Sequence, residues 1–304
     1  VAARVVGAHG ERGAAWLREL PALVEALAAE WEIEGFGAPS PHAQASLVVP
    51  ARGRDGVRRM LKLAPAAEWL ALEAHALAHW RGHGAARLEA VDLARGALLM
   101  ELVEPGTPLA TLCADDDRAA TAAAAEVILR LRAAPGEALP ALPDLSSWTE
   151  RLRDAADLPA PPEVRDACRH AWAVARELTA GGGSEGVLHG DLHHHNVLRA
   201  GREPWLAVDP KGLTGPPEAE AAALLRNPRR FVLAHPHPAA LLTDRLDVLA
   251  ERLGDDVRRL AGWGFALAVL AAAWALEEGQ TEDVRRWMAC AEAARQAARM
   301  RGAA

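Results

Sequence analysis

At 304 residues, 51% hydrophobic and 25% charged, the chain is long enough for one large domain or two lobes around a cleft, and too apolar to be disordered. A formal net charge of −7, with 34 basic against 41 acidic residues, argues against a nucleic-acid partner and mildly favours a cationic ligand. Three scattered cysteines, Cys113, Cys168 and Cys290, exclude a disulfide framework and a CxxC metal pair, and fit a reducing cytoplasm. No secretory signal is expected from "VAARVVGAHGERGAAW", and "GFALAVLAAAWAL" is cut short by Glu277 and Glu278, so no membrane partner is expected.

Taken in chain order, Trp16, Leu17, Leu20, Leu23, Val24, Leu27 and Trp31 recur at helical spacing and predict an amphipathic helix over 11–31. "EGFGAPSPHAQ" breaks the pattern. "ASLVVPA" and "VRRMLKLA" then read as strands joined by the polar turn "RGRDG". Helical period returns in "AAEWLALEAHALAHW" and is closed by "RGHG"; two more short strands follow in "ARLEAVDLARGALLMELV". From about residue 115 the pattern is almost wholly helical, interrupted by the apolar runs "VLHGD" and "NVLRAGREPWLAVD" and by Pro-rich connectors such as "DLPAPPE". The layout predicts an α+β protein with a small mixed lobe over 1–103, a hinge near 101–106, and a larger helical lobe over 104–304.

Between those two apolar runs lies "VLHGDLHHHNVL". Phosphoryl transfer leaves little covalent work to protein groups, so its sites are arrangements of charge. One carboxylate meets the attacking hydroxyl, while an Asn and a second carboxylate hold Mg²⁺ against the nucleotide. The protein-kinase loop H-R-D-L-x-x-x-N is matched here by His189-Gly190-Asp191-Leu192-His193-His194-His195-Asn196. Asp209 follows after the strand-like "WLAV", and Lys62 stands on the third predicted strand ahead of an acidic helix. These predict Asp191 as catalytic base, Asn196 and Asp209 as Mg²⁺ ligands, and Lys62 on the nucleotide phosphates. Its ion-pair partner is Glu73 or Glu68. His189 is expected to buttress the loop. Three consecutive histidines converge poorly on one ion, which sets zinc below Mg²⁺ as the metal of this site.

The stretches "LKL", "LLMELVEPGTPLATL", "VLHGDLHHHNVL", "PWLAVDPKGLTGPPEAEAAALLRNP" and "GWGFALAVLAAAWALEEG" resemble the aminoglycoside phosphotransferase family, in particular its streptomycin 6-kinase or aminoglycoside/hydroxyurea resistance branch. The resemblance implies a two-lobed protein-kinase-like fold with ATP and Mg²⁺ in the cleft. It places adenine on backbone groups of the hinge from Glu101 to Val103, Met100 at the gatekeeper position, and phosphate contacts at Gly37 and Ser46. It puts Glu220 where relatives carry an acid that ties down the catalytic loop. The late helix would border the acceptor pocket, making Glu277, Glu278 and Asp283 candidate receptors for a small cationic acceptor. Gly190 in place of the H-R-D arginine, and no A-P-E segment, imply no switching by phosphorylation. A kinase of the same fold acting on another hydroxylated metabolite remains the alternative, and ATP against GTP and the oligomeric state stay open.

Overall fold

A computed structural model describes residues 2–41, 46–65, 67–135, 139, 141–180 and 185–302. Its first element, α1 (Ala2–Glu30), starts nine residues before the predicted helix and is kinked at Gly10, whose backbone (φ 55°) leaves the helical region. The leading residues carry the helix on through a break that apolar periodicity does not register. Next come β1 (Ile33–Glu34), β2 (Leu47–Gly53), β3 (Arg58–Leu63), α2 (Ala67–Trp80), β4 (Leu88–Asp92) and β5 (Ala97–Glu101). The strands form a five-stranded antiparallel sheet in the order β1-β2-β3-β5-β4. In β2 and β3, Val49, Ala51, Leu61 and Leu63 turn one way and pack under Trp16, Leu20, Leu23 and Leu27 of α1. From the other face, Leu98 and Met100 of β5 join Leu70, Leu77 and Trp80 of α2 in a core that continues into the second lobe through Leu109, Ile128, Leu192 and Val197.

After β5 the chain forms β6 (Pro105–Pro108), α3 (Cys113–Arg132), α4 (Ser146–Ala155), α5 (Pro162–Ala180), β7 (Gly186–Leu188), β8 (Val197–Ala200), β9 (Trp205–Ala207) and β10 (Leu213–Gly215). The 3-10 segment Pro217–Ala223 leads to α6 (Arg229–Ala234), α7 (Pro238–Leu253), α8 (Val257–Glu277) and α9 (Thr281–Met300). β6 and β10 were not anticipated. They are four and three residues long, too short to show alternation, and each exists by pairing with a distant strand, β6 with β8 and β10 with β7.

The face of α8 that carries Trp263, Leu267 and Leu270 is buried, but so is most of the rest of the helix. Trp263 is wholly enclosed in the second core with Leu145, Leu152, Cys168 and Cys290. Removing such a ring costs ~3–5 kcal/mol. By length and composition alone α8 could cross a membrane (mean hydropathy 1.6), which the interruption at Glu277 and Glu278 does not prevent, yet 78% of that apolar stretch lies inside the protein. All three cysteines are free and buried.

Candidate active site

Lys62 leaves the inner face of β3 and meets α2. Its Nζ lies 2.6 Å from Glu73 Oε2 and 2.6 Å from Asp209 Oδ1. Glu73 is buried, whereas Glu68, one and a half turns earlier on α2, is exposed, so the ion pair falls to Glu73. Burial pushes the Glu73 carboxyl upward against the pull of Lys62. Burial also opposes the charge on Lys62, but Glu73 and Asp209 outweigh it and lift the ammonium above its ordinary value. A second lysine, Lys211, reaches Asp209 Oδ2 at 2.8 Å. Against burial, the two lysines hold the Asp209 carboxyl well below the usual carboxylate range. Asp209 itself has φ 60°, a left-handed conformation whose cost of about 1–3 kcal/mol is offset by this double ion pair.

The loop between β7 and β8 carries the rest. Gly190 stands at φ +79°, and a Cβ there would lie 3.0 Å from Leu213 Cδ1. Glycine suits that turn, and any larger side chain, the arginine of H-R-D included, would be strained. The Gly190 and His189 amides donate to Glu220 Oε1 (3.3 Å) and Oε2 (2.5 Å), so the acid from the 3-10 segment does tie the loop down. Burial raises Glu220 to about 7 against the pull of those amides. His189 is fully enclosed, its ring stacked on Trp80 and its Nε2 2.9 Å from the Val208 carbonyl, so that nitrogen carries the proton and donates. Burial lowers its imidazole to about 4. It braces the loop rather than reaching the cleft.

Asp191 is held by its backbone, whose carbonyl accepts from Asn196 Nδ2 at 3.0 Å and from the His193 amide at 2.9 Å. Its carboxylate is flanked more loosely, with His193 Nε2 3.7 Å from Oδ2 and Arg226 Nη2 3.8 Å from Oδ1. Both lie beyond hydrogen-bond reach. Because Asn196 donates through nitrogen, its side-chain oxygen is oriented away from that bond. Asn196 and Asp209 therefore offer hard oxygen donors, the kind Mg²⁺ takes.

The histidine run scatters. His194 turns inward, wholly buried, beside Cys113 and Asp117; the ligand atoms of these three lie within 4.8 Å of one another. Asp117, however, already takes a bidentate pair from the buried Arg245 (2.6 and 2.8 Å), which places a guanidinium where a cation would sit. His193 stays at Asp191.

Other expected residues are placed as follows. The Glu101 amide donates to Arg87 O (2.9 Å), and its carboxylate is gripped by Arg202, which also reaches the Gly82 and Ala85 carbonyls at 2.7 and 2.6 Å. Val103 is buried beside Leu206. Ser46 is half-buried just before β2, Gly37 donates to Pro50 O, and residues 42–45 of the expected phosphate loop lie outside the described residues. Glu277 and Asp283 are already engaged, by Arg151 at 2.5 Å and by Arg229 at 2.9 Å, and the exposed Glu278 accepts from Gln280. Sequence reasoning assigned nothing to Lys211, Arg202 or Arg226. Lys211 and Arg226 lie in the quoted "DPKG" and "LLRNP"; Arg202, in the turn "GREP", carried no signal.

Comparison with known proteins follows the same lines. The family described as aminoglycoside/hydroxyurea antibiotic resistance kinase matches residues 31–279. The chain is 36% identical over 282 residues to streptomycin 6-kinase of Streptomyces glaucescens, covering 92% of this chain and 90% of that one. It is 34% identical over 286 residues to hydroxyurea phosphotransferase of Kitasatospora aureofaciens, covering 93% and 81%. Among solved structures, choline kinase LicA from Streptococcus pneumoniae superposes with a TM-score of 0.64 at 12% identity, over 91% of this chain and 99% of that one. The last likeness speaks for the fold alone, a protein-kinase-like one with a small β-rich lobe and a larger helical lobe.

Proposed function

The chain belongs to the aminoglycoside/hydroxyurea antibiotic resistance kinase family, and on that premise we propose that it transfers the γ-phosphate of ATP to a hydroxyl of a streptomycin-like aminoglycoside, with Asp191 as base. The observation that carries this reading is the Lys62 ammonium bridging Glu73 and Asp209 at 2.6 Å each. A buried ammonium shared by two carboxylates is costly to desolvate and weak evidence of stability alone, and it suits a site that meets a polyphosphate and a divalent cation.

In this reading Lys62, oriented by Glu73, binds nucleotide phosphates. Asn196 and Asp209 would hold Mg²⁺, which when bound would supply charge neutralisation to the phosphoryl group in transfer. The adenine ring would lie against the strand that ends at Glu101. Since the Glu101 amide is taken by Arg87, its contribution is the carbonyl, with Val103 supplying a second backbone group. Ser46, just before β2, would lie beside the phosphates. Asp191 accepts the acceptor's proton as its oxygen bonds to the γ-phosphorus; the bond to the β-phosphate oxygen breaks and ADP leaves. We put the lobe boundary after Val103, between the end of β5 at Glu101 and the start of β6 at Pro105. The buried thiols suit a cytoplasmic setting.

Hydroxyurea is the second acceptor to weigh, because a relative at 34% identity is named for it. Purified protein with ATP, Mg²⁺ and streptomycin is expected to yield a product heavier by one phosphate, and Asp191→Ala none. Turnover of hydroxyurea alone would move the assignment to the second acceptor. Turnover retained in Asp191→Ala would end the proposed role of that residue.

A further inference from the structure

Arg226 poses a physical problem. It is 7% exposed, and its Nη1 finds no hydrogen-bond partner. Asp191, the carboxylate paired with it, stands 3.8 Å away, too far to count as a hydrogen bond. Burial lowers the guanidinium's affinity for its proton, opposed by Asp191. An enclosed guanidinium with one donor nitrogen left unpaired destabilises the fold. Elsewhere in this lobe the buried arginine is handled differently: Arg245 is saturated by Asp117, the Leu224 carbonyl and the Asn227 carbonyl, all within 2.8 Å. Arg226 is therefore not a structural clamp of that kind. Its Nη2 and His193 Nε2 flank the two oxygens of the Asp191 carboxylate at 3.8 and 3.7 Å, near enough to act through charge and too far to hold it by hydrogen bonds.

We propose that Arg226 is a positioning residue for the base: from 3.8 Å its Nη2 steadies the Asp191 carboxylate through charge without capturing it in a hydrogen bond, and so sets the field beside the attacking hydroxyl. The inference rests on the reading of Asp191 as the base. It adds a constraint on the acceptor's chemistry. A guanidinium this close to the base repels cations, so the part of the acceptor next to the reacting hydroxyl is an uncharged one. Ammonium and guanidinium groups of the acceptor lie away from Arg226.

The test uses Arg226→Met and Arg226→Lys, with streptomycin and hydroxyurea as acceptors. An unsatisfied cation kept for function predicts that Arg226→Met melts at the same or a higher temperature than wild type. Its affinity for Mg·ATP stays unchanged while kcat falls by about 10²-fold, the scale of a misplaced reactant. Arg226→Lys restores part of kcat. Lower melting temperatures in both variants, or an unchanged kcat in Arg226→Met, would overturn the proposal, as would a loss explained by weaker nucleotide binding. Should wild type phosphorylate neither acceptor, the substrate assignment fails and the proposal is still read from acceptor-free ATP hydrolysis, where water occupies the place beside Asp191. There a slower rate in Arg226→Met supports it and an equal rate overturns it.

Discussion

The two sides of the cleft are built on opposite principles. On the side proposed for the nucleotide the charges are answered closely: Lys62 by Glu73 and Asp209, and Asp209 again by Lys211, all within 2.8 Å. On the side proposed for the acceptor, His193 and Arg226 flank the Asp191 carboxylate at 3.7 and 3.8 Å, beyond hydrogen-bond reach. The first arrangement is closed on itself; the second is loosely flanked. Under the proposed function the closed half would bind the nucleotide and the loosely flanked half would meet the hydroxyl.

Asp191→Asn breaks the comparison hardest. Losing a general base is expected to lower kcat by ~10²–10⁴-fold, with nucleotide affinity by calorimetry unchanged because no bond on the lysine side involves that carboxylate. A parallel loss of nucleotide affinity would mean that the two halves are one.

Lys62→Met strikes the saturated side. It strips the buried Glu73 of its counter-charge and leaves it to desolvation, so the variant is expected to be destabilised by ~3 kcal/mol and to lose Mg·ATP binding. Glu73 then protonates more readily in the folded than in the unfolded chain. The deficit should accordingly be smallest at acid pH and deepen as pH rises past the ordinary glutamate range; a deficit independent of pH in chemical denaturation would argue that Glu73 is not the stranded group.

Glu220 and His189 sharpen the picture of the loop between the halves, with a smaller effect. Glu220 is raised from 4.5 to about 7 by burial, so its folded form holds a proton that the unfolded form has released, and its contribution to stability declines as pH rises between those values. His189, lowered from 6.5 to about 4, does the reverse: its contribution is lost as pH falls through that window. The two slopes oppose each other in wild type. Glu220→Gln is expected to leave the histidine slope exposed, giving a steeper loss of stability from pH 6.5 toward 4. An unchanged profile would remove Glu220 as a titrating anchor.

The nucleotide side was largely legible in the chain because its residues sit at fixed intervals on elements that sequence patterning marks: Lys62 inside an apolar strand, Glu73 on a periodic helix, Asn196 five residues after Asp191. The choice of Glu73 over Glu68 needed only the helix phase. What stayed hidden depends on tertiary approach. Arg226 arrives from 35 residues beyond Asp191 through a 3-10 segment, and Arg202 reaches back to Glu101 across a gap of 101 residues. An arginine's sequence neighbours do not reveal whether it is saturated like Arg245 or open like Arg226. The three histidines show the same limit inside one loop, since backbone direction alone sends His194 inward to Cys113 and leaves His193 at Asp191.

The smallest expected effect concerns the acids at the end of α8. Glu277 meets Arg151 of α4 at 2.5 Å with half of the arginine side chain exposed, so the pair is worth ~0–1 kcal/mol at such a surface. Glu277→Gln should barely move the melting temperature. If Glu277 receives a cationic group of the acceptor, that group must displace Arg151. Arg151→Ala should then lower KM for streptomycin by freeing the acid, Glu277→Gln should raise it, and neither should alter KM for ATP or for the uncharged hydroxyurea. Equal KM values in all three proteins would make the ion pair a helix-to-helix contact and leave acceptor recognition to the open ground around Asp191 and Arg226.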